Sequence, residues 1–172
     1  NEVYYDNVRI PKENLLGTLH KGWYELLGVL NPERIATAML SLGVAKAAFK
    51  DAFEYAKKRE AFGGPIARFQ SLQHYLADIA IEIENASNLI YKCAWMADQG
   101  KPMHIEANMA KIVAARASEK AAIWGMEILG GYGYTMEYDM QRYFRDYKQM
   151  VFSPISDEMA KNMIMQFMGY PK

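Results

Sequence analysis

The feature that most constrains the fold is one stripe of apolar residues that recurs in steps of three and four along the middle of the chain. Its members are Leu72, Leu76, Ile79, Ile83, Ala86, Ile90, Cys93 and Ala97. Such steps place side chains on one face of an α-helix. Glycines and prolines at positions 63–65 and 100–102 bound the stripe, so we predict a helix from about Arg68 to Gln99.

A second stripe predicts another long helix ahead of the first one. It contains Ile35, Met39, Leu42, Ala45, Phe49, Phe53 and Ala56. Asn31 is expected to cap this helix, with Pro32 in its first turn and a short lead-in helix over residues 23–30. Later helices are expected over residues 104–129 and 138–148, and a last one follows a cap at Ser153 or Ser156. These patterns predict an all-α fold, an antiparallel up-and-down helical bundle, with a short extended or strand segment at residues 2–10.

Charge and composition exclude several classes of function. Lys and Arg together number 20, as do Asp and Glu, so no broad attraction to nucleic acid or to an anionic membrane follows. The longest apolar stretch, residues 35–45, is too short to cross a bilayer. The single cysteine, Cys93, is interpreted as a core thiol in a reducing compartment. The histidines are scattered without metal-ligand spacing, so we predict no metal site.

Two short segments could carry chemistry, although each also has a simpler interpretation. Residues 130–134 read GGYGY, and such a turn can cradle a phosphate with its backbone N–H groups, but a plain interhelical turn fits this local pattern better. Glu33 and Arg34 open the first long helix. An acidic residue in a first turn is favourable for the helix dipole alone.

Three landmarks in order resemble the C-terminal helical domain of the acyl-CoA dehydrogenase family. The first is EVYYDNVRIP at 2–11 with NLLG at 14–17, GW at 22–23 and ER at 33–34. The others are REAFG at 59–63 with PI at 65–66 and FQ at 69–70, and GGYGY at 130–134 with Arg142 and Arg145-Asp146. The resemblance implies that residues 1–20 are the end of a middle β-domain and its linker, and that residues 21–172 are the helical bundle.

The resemblance also implies a homo-oligomer, a dimer or typically a tetramer, with FAD shared between neighbouring subunits. The positions expected to contact FAD are Arg59, Phe62, Gln70, Glu127, Gly130, Gly131 and Ser156. A guanidinium suits phosphate, an aromatic ring suits adenine and glycine permits close approach. Glu127 departs from the glutamine that is common in the family at that position.

The expected chemistry is removal of the proton α to a thioester carbonyl by a carboxylate, with hydride transfer to the flavin. The family's usual Tyr-Glu-Gly-Thr falls on residues 153–156, where Pro154 occupies the glutamate position and cannot act as a base. A minority of the family carries its glutamate immediately before an arginine on the first long helix. Glu33 is therefore the predicted base and Arg34 an acyl-CoA-binding residue. Asp157 and Glu158 are the fallback carboxylates.

The resemblance thus implies α,β-dehydrogenation of an acyl-CoA by the full-length enzyme, with an electron-transfer flavoprotein as acceptor. The cytoplasm, or the mitochondrial matrix in a eukaryote, is the expected location. One alternative is a flavin monooxygenase or oxidase of the same fold. Another is a structural or oligomerisation module, since the isolated chain is expected to be inactive and to bind FAD weakly or not at all.

Overall fold

The computed structural model describes residues 1–171, and the helices account for most of them. In chain order they are α1 (Gly22–Leu27), α2 (Leu30–Lys58), α3 (Gln70–Asp98), α4 (His104–Leu129), α5 (Gly131–Tyr134), α6 (Met140–Phe152) and α7 (Asp157–Phe167). Short 3₁₀ turns occur at Lys12–Asn14 and Ile66–Arg68. The chain divides into two units, the first ending at Leu30 and the second beginning at Asn31.

The first unit contains only the 3₁₀ turn at Lys12–Asn14 and α1 as regular elements. The prediction of a strand within residues 2–10 is wrong. A strand needs a neighbouring strand for its hydrogen bonds, and the one β-bridge within residues 1–171 joins Glu60 to Pro65 instead. The side chains of residues 1–29 are exposed.

The second unit is an up-down-up-down bundle of α2, α3, α4 and α6. Ion pairs Lys92–Glu106 and Lys120–Glu82 show that α3 and α4 are antiparallel. The α6 helix returns along α4, and its Tyr143 hydroxyl donates a 3.0 Å hydrogen bond to Asp51 of α2. The predicted all-α bundle is therefore confirmed.

Small residues allow α4 to occupy the centre of this bundle. Its buried alanines are Ala107, Ala110, Ala114, Ala115, Ala117, Ala121 and Ala122. Gly125 continues this surface, and a Cβ there would lie 2.6 Å from Met140 Sδ of α6. Close approach of helices follows from these small side chains.

The predicted helix boundaries hold to within a few residues, with one error of interpretation. Ser156 caps α7 as predicted, because its hydroxyl accepts the Met159 N–H at 3.3 Å. Asn31 does not cap α2, which already begins at Leu30. The Asn31 side chain instead reaches α4 and Arg34, as described below. Cys93 is buried, as predicted, and burial raises the pKa of its thiol to about 11.

No helix in the described part of the chain is both long and apolar enough to cross a membrane. Over the same residues, no three His, Cys, Asp or Glu side chains converge as a metal site would require.

Candidate functional site

A groove lies where α2 and α4 end. Tyr55 and Arg59 line one wall and Glu127, Gly130 and Gly131 line the other. The groove therefore brings together four of the predicted cofactor contacts, although Arg59 and Gly130 are far apart in sequence. The pairing of these residues arises because α2 and α4 run in the same direction and end at the same side of the bundle.

Gly130 gives this groove an open backbone edge. It has φ +59° and ψ −140°, a combination that is favourable only for glycine, and its N–H ends α4 by donating to the Met126 carbonyl at 2.8 Å. A Cβ built on Gly130 or on Gly131 would meet no atom within 4 Å. A ligand could therefore approach the backbone closely here.

The Arg59 guanidinium lies over the Tyr132 ring, with 5.5 Å from the guanidinium carbon to the ring centroid. Arg59 is an exposed residue that lines the groove. Burial raises the pKa of the neighbouring Tyr55 hydroxyl, and the Arg59 charge opposes that rise. Tyr55 therefore lines the groove as an uncharged side chain beside the Arg59 cation.

Carboxylates also surround the groove, and they limit what it can bind. Glu127 is exposed in its lining, and an adjoining hollow is lined by Asp51, Glu54 and Asp139 together with Lys58. A phosphate could be accommodated beside Arg59 and the glycines, whereas Glu127 would repel it. The donor set therefore fits an anionic cofactor only on the Arg59 side.

Phe62 and Gln70 lie outside this groove, in the turn between α2 and α3 and at the first residue of α3. Phe62 has φ +53° and is 87% exposed, and its ring meets Phe69 edge to face at 6.0 Å. Arg68 holds the turn by donating to the carbonyls of Phe62 and Gly63. The turn presents an aromatic ring to its surroundings, not to the groove.

Glu33 and Arg34 lie at the other end of α2, about 36 Å along the helix from Lys58. Glu33 is exposed, whereas Arg34 is only 4% exposed. Arg34 Nη1 donates to Asn31 Oδ1 at 2.8 Å and Nη2 to Met163 Sδ at 3.5 Å. Its buried Nε has no partner among residues 1–171. Burial lowers the pKa of the guanidinium, and the Glu33 charge opposes that shift.

The turn between α6 and α7 carries Pro154 and Ser156. Lys111 of α4 fastens both sides of this turn, because its ammonium donates to the Val151 carbonyl at 2.6 Å and to Asp157 Oδ1 at 2.8 Å. Sequence reasoning missed Lys111, although a signal existed. Lys111 lies four residues after Ala107 and three before Ala114, on the buried face of α4.

Asn31 and His104 were also missed as residues of interest. Asn31 Nδ2 lies 2.7 Å from His104 Nδ1. Asn31 was expected only to cap a helix and His104 was interpreted as a scattered histidine. Nothing local in the sequence signals their pairing, which depends on the packing of α2 beside α4.

Comparison with known proteins decides what kind of domain carries these features. The family description "Acyl-CoA dehydrogenase, C-terminal domain" matches residues 20–169. The short-chain specific acyl-CoA dehydrogenase of Megasphaera elsdenii is 42% identical over 147 residues, 86% of this chain. The chain belongs to the acyl-CoA dehydrogenase family.

Other relatives extend this result. The caffeyl-CoA reductase-Etf complex subunit CarC of Acetobacterium woodii is 38% identical over 146 residues, 85% of this chain. A glutaryl-coenzyme A dehydrogenase structure with glutaryl-CoA superposes with a TM-score of 0.94 at 37% identity, covering 98% of this chain and 43% of that one. The chain spans 38% of the length of both the M. elsdenii and the A. woodii proteins. An acyl-CoA dehydrogenase of this family thus contains much more chain than this domain.

Proposed function

We propose that the full-length protein is a flavin-dependent acyl-CoA dehydrogenase that removes hydrogen from the α and β carbons of an acyl-CoA. The observation that carries this proposal is the pair Glu33 and Arg34 in the first turn of α2. An exposed carboxylate there adjoins a buried guanidinium that has neutral partners and one nitrogen, Nε, with no partner among residues 1–171. Within this family, such a pair suits a base next to a substrate-binding cation.

Glu33 would take the proton from the α carbon, and an exposed carboxylate can accept it without first breaking an ion pair. FAD, when bound, supplies the hydride acceptor for the β carbon. Arg34 would donate an N–H of its guanidinium to an oxygen of the acyl-CoA. Hydrogen bonds of this charged kind are stronger than neutral ones.

For the cofactor, we propose that Arg59 meets the FAD phosphates beside the open backbone of Gly130 and Gly131. The exposure of Arg59 and the empty space over both glycines support this placement. Glu127 would accept from a hydroxyl of the cofactor, because it cannot share a position with phosphate. Ser156 retains a hydroxyl proton that it can donate while it caps α7.

The turn at Phe62 supports a shared cofactor site in a homo-oligomer, a dimer or tetramer. A phenylalanine ring that is 87% exposed is unfavourable in water. Together with Gln70, it would contact FAD held mainly by a neighbouring subunit. An electron-transfer flavoprotein is the proposed acceptor, as the name of the A. woodii relative suggests. The proposed location is the cytoplasm, or the mitochondrial matrix in a eukaryote.

The domain boundaries remain part of the proposal. Residues 1–20 would complete the preceding β-domain, where the alternating residues 2–10 would have a strand to pair with. Residues 21–172 would be the helical domain.

A single substitution in the full-length protein tests the assignment of the base. Glu33→Gln should still bind acyl-CoA, but anaerobic flavin reduction by acyl-CoA should slow by about 10²- to 10⁴-fold, the usual contribution of a general base. Glu84→Gln, on the exposed surface of α3, is the matched control and should reduce normally. Normal flavin bleaching in Glu33→Gln would contradict the assignment and direct attention to Asp157 and Glu158.

A flavin oxidase or monooxygenase of the same fold is the second candidate. It is favoured by Pro154, which stands at the usual glutamate position and carries no titratable group. Rapid oxygen consumption by the reduced full-length protein would support this candidate. Slow reoxidation by oxygen, with fast transfer to an electron-transfer flavoprotein, would support the dehydrogenase.

A further inference from the structure

We propose that Asn31 and His104 are positioning residues that hold the Arg34 guanidinium in the orientation that binds acyl-CoA. The inference rests on the proposed function. It concerns a set of five side chains, which we call the Arg34 network. Its members are Asn31 and Arg34 of α2, His104 of α4, and Met163 and Phe167 of α7.

The donors and acceptors in this network follow from Arg34. A guanidinium can only donate, so the atom of Asn31 that lies 2.8 Å from Arg34 Nη1 must be the carbonyl oxygen. The amide nitrogen of Asn31 therefore faces His104, where it lies 2.7 Å from Nδ1. The Nδ1 atom of His104 must therefore accept this hydrogen bond, which places the single proton of a neutral His104 ring on Nε2. The charge of Arg34 thus determines both an amide orientation and a tautomer.

The α7 helix closes the network into a ring. The imidazole of His104 stacks on Phe167 with centroids 4.8 Å apart and an interplanar angle of 19°. Met163, one helical turn earlier on the same face of α7, accepts from Arg34 Nη2 at 3.5 Å. Asn108 also donates to the His104 carbonyl at 2.6 Å. Three helices therefore hold one guanidinium.

This arrangement orients Arg34 without neutralising its charge. Every partner of the guanidinium is uncharged, and no carboxylate within residues 31–171 forms an ion pair with it. Two of its nitrogens are engaged, and the buried Nε has no partner among residues 1–171. A cation that is already oriented can bind an acceptor without first losing side-chain freedom. Loss of the Asn31 acceptor would leave Nη1 unpaired in a buried position and would favour another orientation.

Steady-state kinetics of the full-length holoenzyme test the proposal. Asn31→Leu should raise the KM for acyl-CoA by about 10- to 100-fold, the range for a lost hydrogen bond to a charged group, with kcat changed less than about threefold. Asn31→Gln retains a neutral amide oxygen for Arg34 and should restore part of the affinity. Asn88→Leu removes a surface asparagine of α3 and is the control.

Substitutions of His104 give a second test of the proposal, with a control variant of their own. His104→Leu removes the acceptor for Asn31 and should raise the KM less than Asn31→Leu does. His104→Gln, which offers a carbonyl oxygen, should recover part of the loss, and His74→Leu on α3 should behave as the parent. A merely structural role for the network predicts lower melting temperatures with an unchanged KM. That result would overturn the proposal, as would an Asn31→Gln variant as impaired as Asn31→Leu.

Crystal structures separate this proposal from the proposed function. If no acyl-CoA reduces the flavin of the parent enzyme, the proposed function is wrong. The position of the Arg34 guanidinium in the crystal structures still tests the network in that case. A displaced guanidinium in Asn31→Leu supports the positioning role. An undisplaced one overturns it, whatever the activity of the enzyme.

Discussion

Lys111 and Arg34 are both buried cations whose side chains contact α7 or its first residue, yet their surroundings differ. The Lys111 side chain is 0% exposed and pairs with Asp157 at 2.8 Å while also donating to the Val151 carbonyl. Arg34 is 4% exposed, and its hydrogen-bond partners among residues 1–171 are Asn31 and Met163. Within residues 1–171, a carboxylate forms an ion pair with Lys111, whereas none forms one with Arg34.

The difference in pairing indicates that Lys111 and Arg34 have different roles. A buried charge is costly unless it is paired, so a cation that brings its own carboxylate can serve the fold alone. A buried cation that retains neutral partners and a spare N–H is costly to the fold and is better explained by a ligand. We therefore infer that Lys111 fastens the α6–α7 turn, whereas Arg34 binds substrate.

The largest expected effect on stability comes from breaking the paired cation. Lys111→Met leaves the Asp157 carboxylate and the Val151 carbonyl without their partner, and the loss of one member of a buried pair costs about 3–5 kcal/mol. Urea unfolding of this chain, followed by circular dichroism, measures the change. Adding Asp157→Leu should recover part of the loss, because it removes the stranded carboxylate.

The matched control is Lys120→Met, which breaks the half-exposed pair with Glu82. Its cost should be below about 1 kcal/mol. Similar losses for Lys111→Met and Lys120→Met would show that the burial of Lys111 carries no special weight.

The sequence predicted the helices because their stripes are long and their glycine and proline boundaries are clear. It placed α3 within two residues of its observed ends, Gln70 and Asp98. It could not predict the Asn31–His104 contact or the Lys111–Asp157 pair, since both join residues that only the packing of α4 brings together. The strand at residues 2–10 failed for a related reason, because alternation alone supplies no hydrogen-bonding partner.

The candidate site shows the same division. Taken residue by residue, the sequence indicated only that Glu33 is favourable for the helix dipole and that GGYGY is a turn. The family resemblance first suggested that both segments belong to a functional site. The structure then brought Arg59, Glu127, Gly130 and Gly131 to one groove and left Phe62 and Gln70 outside it. Tertiary packing thus decides which of the predicted contacts can act together within one subunit.

A smaller effect on stability is expected from the unpaired cation. Arg34→Met removes a desolvated charge and retains much of its apolar volume, so the free energy of unfolding should stay within about 1 kcal/mol of the parent or exceed it. The affinity of the full-length protein for acyl-CoA should nevertheless fall by about tenfold or more. Urea unfolding and equilibrium binding measure the two quantities.

The stability of Arg34→Met and its affinity for acyl-CoA can each contradict the comparison between Arg34 and Lys111. A loss of stability as large as that of Lys111→Met would mean that Arg34 is a structural cation. Unchanged binding of acyl-CoA would remove the reason for keeping an unpaired charge in the interior.

The smallest effect on stability is expected at Arg59, the exposed cation of the groove. Arg59→Met should change the free energy of unfolding by less than about 0.5 kcal/mol, because the side chain is exposed and contacts mainly the Tyr132 ring. The affinity of the full-length protein for FAD should fall by about tenfold or more if the fork binds phosphate. Fluorescence titration of the apoprotein with FAD measures this change, and Lys57→Met, an exposed cation just before the end of α2, is the control. An equal loss of FAD affinity in both variants would indicate a general charge effect. A loss confined to Arg59→Met would support a specific contact with the cofactor. Lys111, Arg34 and Arg59 would then form a series in which burial and pairing together distinguish structural from ligand-binding cations.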